Sequence, residues 1–235
     1  MDKRLLLEEI GKFNLNLASE QMDLLEKFEK IMLEKNKVMN LTRITGERDL
    51  TIKHFADSLS LLSLNVFKEG QSLLDIGSGA GFPGIPLKIA MPGLKITLLD
   101  SLNKRVRFLN EVVEILSLEE IKAIHGRAEE LGKTEVRESF DIVVSRAVAR
   151  LNTLVEYSLP FVKVRGYFIA MKGDYKEELE EAKKAISLLG GEICETKEVP
   201  LADDISHSLI VIKKIKKTPD KYPRSGGQIK KSPIK

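Results

Sequence analysis

A glycine-rich stretch from Ser72 to Pro86, SLLDIGSGAGFPGIP, constrains this chain more than any other part of it. Leu73 and Leu74 read as the end of a buried strand that Asp75 closes. Gly77, Gly79, Gly81 and Gly84 follow within eight residues, and the apolar run Ile85, Pro86, Leu87, Ile89, Ala90 then reads as a helix. A strand that passes through a glycine turn into a helix is how an α/β protein brings bare backbone against a ligand. Glycine takes positive φ and, having no Cβ, lets a ligand approach. The N-terminus of the helix behind the turn adds unpaired N–H groups. A ligand-free turn would not need four glycines, since each costs backbone entropy on folding.

From residue 70 onward strands and helices alternate. Strands are expected at 72–75, 95–99, 121–125, 140–144 and 167–171, with helices at 103–116, 151–162 and 175–189 between or after them. Two late strands, near 193–199 and 208–215, have no helix between them and so form an antiparallel pair at one edge. Such a chain builds an α/β fold, a doubly wound, mostly parallel, seven-stranded Rossmann-like sheet. Before it, residues 2–17 read as a helix with Leu6, Ile10 and Phe13 on one face. Ser19 is the expected N-cap of a second helix with a Leu24, Leu25, Phe28, Met32, Leu33 stripe. A polar turn covers 40–45 and a third helix 49–64. The expected divisions are a helical cap over 1–66, a ligand-binding domain over 67–216 and a basic tail over 217–235.

On the third helix His54, Asp57 and Ser58 share one face at i, i+3 and i+4. Three neighbours on one helix do not make a hydrolytic triad with an oxyanion hole. They read instead as a face that hydrogen-bonds into the next layer, with a place in the cleft wall as the alternative.

Charge is unevenly spread. Residues 213–235 hold nine Lys and Arg against one acid, while the other 212 residues hold 29 against 34. A basic tail on an acidic body suits a polyanionic partner. Cys194 stands alone, which excludes an internal disulfide or a cysteine metal site and fits a reducing cytoplasm. The N-terminus, MDKRLLLEEI, has acids inside its apolar stretch and does not read as a signal peptide. No run approaches the roughly 18 apolar residues of a membrane span.

In an open parallel sheet the ligand lies outside the carboxyl ends of the strands. Those ends carry Asp75 with the glycine loop, Asp100-Ser101, Arg127-Ala128-Glu129, Ser145-Arg146 and Lys172-Gly173. Asp100, 23 residues after Gly77, is placed to accept hydrogen bonds from both hydroxyls of an adenosine ribose. Ala128 is small enough to admit a flat base, and Glu129 can orient it. Gly79-x-Gly81-x-x-Gly84 matches a dinucleotide pattern, but Asp75 ahead of it would repel a pyrophosphate. A cationic cofactor suits Asp75 better, and S-adenosylmethionine carries both a sulfonium and an ammonium. Methylation of a pyrimidine carbon would need a cysteine nucleophile, and Cys194 lies in a late strand. Methylation of an exocyclic amine commonly uses an Asn or Asp with prolines after strand four, where this chain has Ser145-Arg146-Ala147-Val148. A ring nitrogen with a free lone pair needs only alignment.

Several motifs together resemble the RsmG (GidB) family of bacterial 16S rRNA methyltransferases. They are Asn40-Leu41-Thr42, His54-Phe55-x-Asp57-Ser58, Asp75 through Pro86 and Asp100-Ser101, then Lys104-Arg105, Arg127-Ala128-Glu129, Ser145-Arg146-Ala147 and Tyr222-Pro223-Arg224 with Gly227 and Lys231-Ser232-Pro233-Ile234. The match runs from about residue 36 to the end. The resemblance implies a class I methyltransferase fold with an N-terminal helical extension. It implies N7 methylation of guanine 527 in 16S rRNA of the small ribosomal subunit, with S-adenosylmethionine as donor. Cofactor contacts would come from Asp75, Gly77, Gly79, Phe82, Asp100, Ser101, Ala128, Glu129 and Arg146. Arg146 and Lys172 would face the substrate cleft, with no catalytic residue assigned. Tyr222, Arg224, Lys230 and Lys231 would meet RNA, or the tail would fold beside the cleft. A monomer is expected. Two other readings stay open at this point: a ribosome-binding assembly factor without turnover, and a nicotinamide oxidoreductase.

Overall fold

The structure, a computed structural model, describes residues 1–203 and 205–235. Its strands are β1 (Ser72–Ile76), β2 (Lys95–Asp100), β3 (Ile121–His125), β4 (Phe140–Arg146), β5 (Val162–Lys172), β6 (Gly191–Pro200) and β7 (Ser206–Lys214). They form one sheet in the order β3-β2-β1-β4-β5-β7-β6. The pairs among β1 to β5 are parallel, and β7 runs antiparallel to both β5 and β6. The order reverses between β1 and β4, so the glycine loop leaves β1 at the switch point where ligands bind.

Helices cover both faces. α1 (Lys3–Gly11) and α2 (Ser19–Met39) precede α3 (Glu47–Leu50), which continues through a π-helical turn over Thr51–Ala56 into α4 (Asp57–Ser60). The third helix expected at 49–64 is thus one helical segment with a widened middle. Within the sheet domain lie α5 (Gly84–Ala90), α6 (Asn103–Ile115), α7 (Ala128–Leu131), α8 (Leu151–Ser158) and α9 (Lys176–Leu188), and the tail carries α10 (Gly226–Lys231). The first helix is shorter than the 2–17 expected and ends at Gly11. Ser19 is not the cap of α2. Ala18 takes that position, and its N–H donates to Gln21 Oε1 at 2.9 Å. Gln21 Nε2 in turn donates to the carbonyls of Ile89 and Ala90 at the end of α5, at 2.8 and 3.0 Å. One amide therefore serves two helix ends that each lack partners.

Strand side chains alternate between the two faces. Leu73, Leu98, Val144, Ile169 and Leu209 face one core with α5, α6 and the N-terminal helices. Leu74, Leu99, Val143, Phe168 and Ile210 face a second core with α8, α9, Tyr222 and Ile229. Residues 1–66 therefore share a core with the sheet. Phe82 of the glycine loop meets Phe28 of α2 and Phe55 of the π-turn, at ring centroid distances of 5.1 and 5.2 Å.

The tail is folded against the domain. Arg137 donates to the carbonyls of Thr218 and Tyr222 at 2.7 Å each and of Gly132 at 3.0 Å. Arg224 forms a bidentate pair with the buried Glu156 at 2.9 and 2.6 Å, and its own N–H donates to the same carboxylate at 2.9 Å. Among the described residues, no helix is long and apolar enough to cross a membrane.

Candidate cofactor cleft

The glycine loop is held by backbone hydrogen bonds. The N–H groups of Gly77 and Ser78 donate to Leu99 O at 2.8 and 3.2 Å, and Gly81 N–H donates to Ser78 O at 2.8 Å. Gly77 has φ +76°, and a Cβ there would lie 2.5 Å from Val148 Cγ2. Gly81 has φ +101°. Beside this loop, on the α8 face, a cleft of about 770 Å³ opens at the strand ends. Ile76, Leu99, Ala128 and Val148 give it apolar walls beside Gly77, and Ser101 and Glu129 also line it. Arg127, Arg150 and Lys230 stand at its rim. Sequence reasoning missed Val148, Asn152, Thr153, Tyr157, Glu177 and Glu181, which also line it. For Val148 to Tyr157 the signal was position, since the segment after β4 follows a strand end at the switch point; Glu177 and Glu181, on α9, carried no such signal.

Of the expected cofactor contacts, Gly77, Ser101, Ala128 and Glu129 line this cleft. Asp75, Phe82 and Arg146 do not, and Phe82 is buried among Phe28, Phe55, His54 and Arg146. Asp75 shares the parity of Leu73 and Arg146 that of Val144, so both turn toward the N-terminal helices and away from the cleft. Asp75 is fully buried; Gly84 N–H donates to its Oδ2 at 3.1 Å, and Oδ1 has no partner. Burial pushes its carboxyl up to about 7. Asp100 is nearly closed off as well. Its carboxylate accepts from Gly79 N–H at 2.9 Å and Leu102 N–H at 2.8 Å, so it clamps the loop to the end of β2.

Arg146 is held within a polar cluster. It donates to Lys53 O at 2.8 Å and Asp57 Oδ2 at 3.1 Å, meets His54 Nδ1 at 3.1 Å, and lies 5.3 Å from the Phe82 ring centroid. His54 stacks on Phe82 at 4.7 Å. Burial, and then the Arg146 charge, lower His54 to about 4. Asp57 also bonds His207 Nδ1 at 2.7 Å, which raises the His207 pKa. The His54/Asp57 face therefore hydrogen-bonds into the sheet layer. Ser58 Oγ returns its proton to His54 O at 2.6 Å.

Lys172 has the opposite parity. It donates to Ala149 O at 2.7 Å and pairs with Glu178 at 2.6 Å, and Glu178 Oε2 also accepts Leu151 N–H at 2.8 Å. Lys172 therefore fastens the 147–151 segment that walls the cleft. In the tail, Tyr222 is buried and Arg224 is taken up by Glu156, so neither is presented to an RNA. Lys230 and Lys231 are exposed.

A doubly wound sheet with a reversed β7, a glycine loop after β1 and an acid at the end of β2 defines a class I methyltransferase architecture. Solved structures share it. M. jannaschii TYW2 in complex with AdoMet covers 64% of this chain and 72% of its own, at 17% identity and a TM-score of 0.52. The M. jannaschii fibrillarin pre-rRNA processing protein covers 65% and 70%, at 19% identity and 0.51. At sequence level, the family model for rRNA small subunit methyltransferase G, GidB, matches residues 21–205. The ribosomal RNA small subunit methyltransferase G of Alkaliphilus metalliredigens is 52% identical over 239 residues, covering 100% of both chains. That of Thermoanaerobacter sp. (strain X514) is 50% identical over 233 residues, covering 98% of this chain and 97% of its own. The chain belongs to the rRNA small subunit methyltransferase G family. It is a methyltransferase whose methyl donor is S-adenosylmethionine. The residues present fit that group: a Cβ-free cradle at Gly77, apolar walls for a flat base and a carboxylate beside them.

Proposed function

We propose that the chain methylates N7 of guanine 527 in 16S rRNA of the small ribosomal subunit, the acceptor that the family resemblance implies. The observation that supports this reading is the open cleft at the switch point, floored by Gly77 and rimmed by Arg127, Arg150 and Lys230. The bound donor supplies an electrophilic methyl group. Gly77 would admit it, with Gly79 held beside that turn by Asp100; Ala128 and Leu99 would enclose its base, and Glu129 would accept from that base's amino group. Ser101 and the Asp100 clamp set the ribose end. Between Ser145 and Arg150 the chain has no carboxylate or amide side chain to act as a base. Guanine N7 needs none, because its lone pair is free, so proximity and orientation supply the rate.

Arg146 and Lys172 act in this reading as positioning residues. Arg146 ties β4 to the N-terminal helices and to Phe82, and Lys172 holds the wall at Ala149. Lys230 and Lys231 meet RNA phosphates, which makes binding salt-dependent. The target base reaches the cleft from an unstacked position. Mass spectrometry of RNA fragments, after small subunits are incubated with the chain and the donor, reports base and position together. A methyl group at N7 of that guanine is expected. A methyl group elsewhere overturns the acceptor, and tight subunit binding without transfer turns the reading to a non-catalytic assembly factor.

A further inference from the structure

Glu129 lies on a wall shared by two concavities. One is the cofactor cleft; the other is a groove between α7 and the start of α10, bordered by Lys133, Ser225, Gly226 and Gly227. Its side chain is only 12% exposed, yet among the described residues its one ion pair is with Arg127 at 3.7 Å, and it accepts no hydrogen bond. What packs against it is the tail. A Cβ on Gly226 would collide with Glu129 Oε1 and lie 3.0 Å from its Cδ. Gly226 does not have positive φ and opens a helix, so its backbone tolerates alanine. The hydrogen at Cα is what leaves room for the carboxylate. The next residue, Gly227, has open space at its Cβ position.

The tail that carries Gly226 is firmly anchored. Glu156 holds Arg224 two residues before it, Ile229 is fully buried three residues after it, and Ser225 Oγ donates to Gln228 Oε1 at 2.9 Å. The collision would therefore be relieved by the flexible carboxylate rather than by the backbone of the tail.

We propose that Gly226 is a positioning residue for cofactor recognition: by leaving space for the Glu129 carboxylate, the C-terminal tail sets where the adenine amino group is read. This rests on the reading of the cleft as the S-adenosylmethionine site. Recognition of the base is thereby shared between the β3 end and a segment about a hundred residues later. Because Lys230 lies on the same short helix and lines both concavities, the segment that reads the base also presents a cation at the rim.

Isothermal titration of the full chain with S-adenosylhomocysteine, and with S-inosylhomocysteine whose ring carbonyl cannot donate to a carboxylate, tests this. Gly226→Ala should weaken S-adenosylhomocysteine about tenfold, the loss of one hydrogen bond to a charged group, and should shrink the preference over the inosyl analogue. Glu129→Gln in the native Gly226 background should do the same, and the double variant should be no worse than either single one. Gly227→Ala should bind like the native chain. Native affinity in Gly226→Ala, or a further full loss when Gly226→Ala is added to Glu129→Gln, overturns the proposal. Failure of the native chain to bind S-adenosylhomocysteine overturns the cofactor reading instead.

Discussion

The carboxyl edge of the sheet presents two different environments only one strand residue apart. On the side of the N-terminal helices, His54, Asp57, Arg146 and His207 are buried or half-buried and satisfy one another beside Phe82, while the buried Asp75 is held by Gly84 N–H. On the side of α8, Gly77, Ala128, Glu129 and Val148 border an open cleft where acceptors remain free. The closed side holds the loop in shape, and the open side offers it to a ligand. A polar residue in a functional motif is therefore not thereby a ligand contact. Low dielectric makes the closed cluster costly to break, while the open side stays free to form new bonds.

Changes on the two sides should separate fold from binding. The largest effect belongs to the open side: Gly77→Val, forced to φ +76° against Val148, should abolish S-adenosylhomocysteine binding in titration while the melting transition persists. Binding within threefold of the native chain would remove the loop from the site. Next is Asp57→Ala on the closed side. It strips one carboxylate from both Arg146 and His207 and should cost about 3–5 kcal/mol in urea unfolding, the range for breaking a buried pair. A loss below about 1 kcal/mol would mean the cluster is not what ties the helices to the sheet.

Asp75→Asn sharpens the same side through pH. An acid whose pKa is higher folded than unfolded holds its proton more tightly when folded, so its contribution weakens as pH rises from 3.8 toward 7. The asparagine variant should gain roughly 2–4 kcal/mol on the native chain by pH 8, and nothing near pH 4. A difference independent of pH would show that the carboxyl is not held neutral. The smallest effect lies at the rim. Lys231→Ala should lower the slope of log K against log salt for RNA by about 1, and leave S-adenosylhomocysteine affinity unchanged. An unchanged slope would take Lys231 out of contact with phosphate.

Much of this could be read before the fold was known. Alternation of strands and helices after residue 70, the antiparallel late pair and the glycine loop all follow from local pattern. Asp75 and Arg146 were legible as strand-end residues, but not the side of the sheet to which each turns. Counting in twos pairs Asp75 with Leu73 and Arg146 with Val144, but these strands are apolar on both faces, so only the fold shows that both turn to the closed side. Tyr222 and Arg224 gave no such clue. Their partners, a carbonyl clamp by Arg137 and the Glu156 carboxylate, are distant in sequence and share no period with them.

The sequence by itself determined the α/β class, the family and the place of the glycine loop at a strand end, because periodicity, glycine content and motif spacing are local properties. Tertiary structure alone decided which polar residues face the cleft. That depends on which side of the sheet each strand end turns to and on what covers that side. The N-terminal helices close one side around Arg146, and the basic tail folds onto the other, bringing Gly226 to Glu129. The glycine loop is thereby gripped from one side and left open on the other.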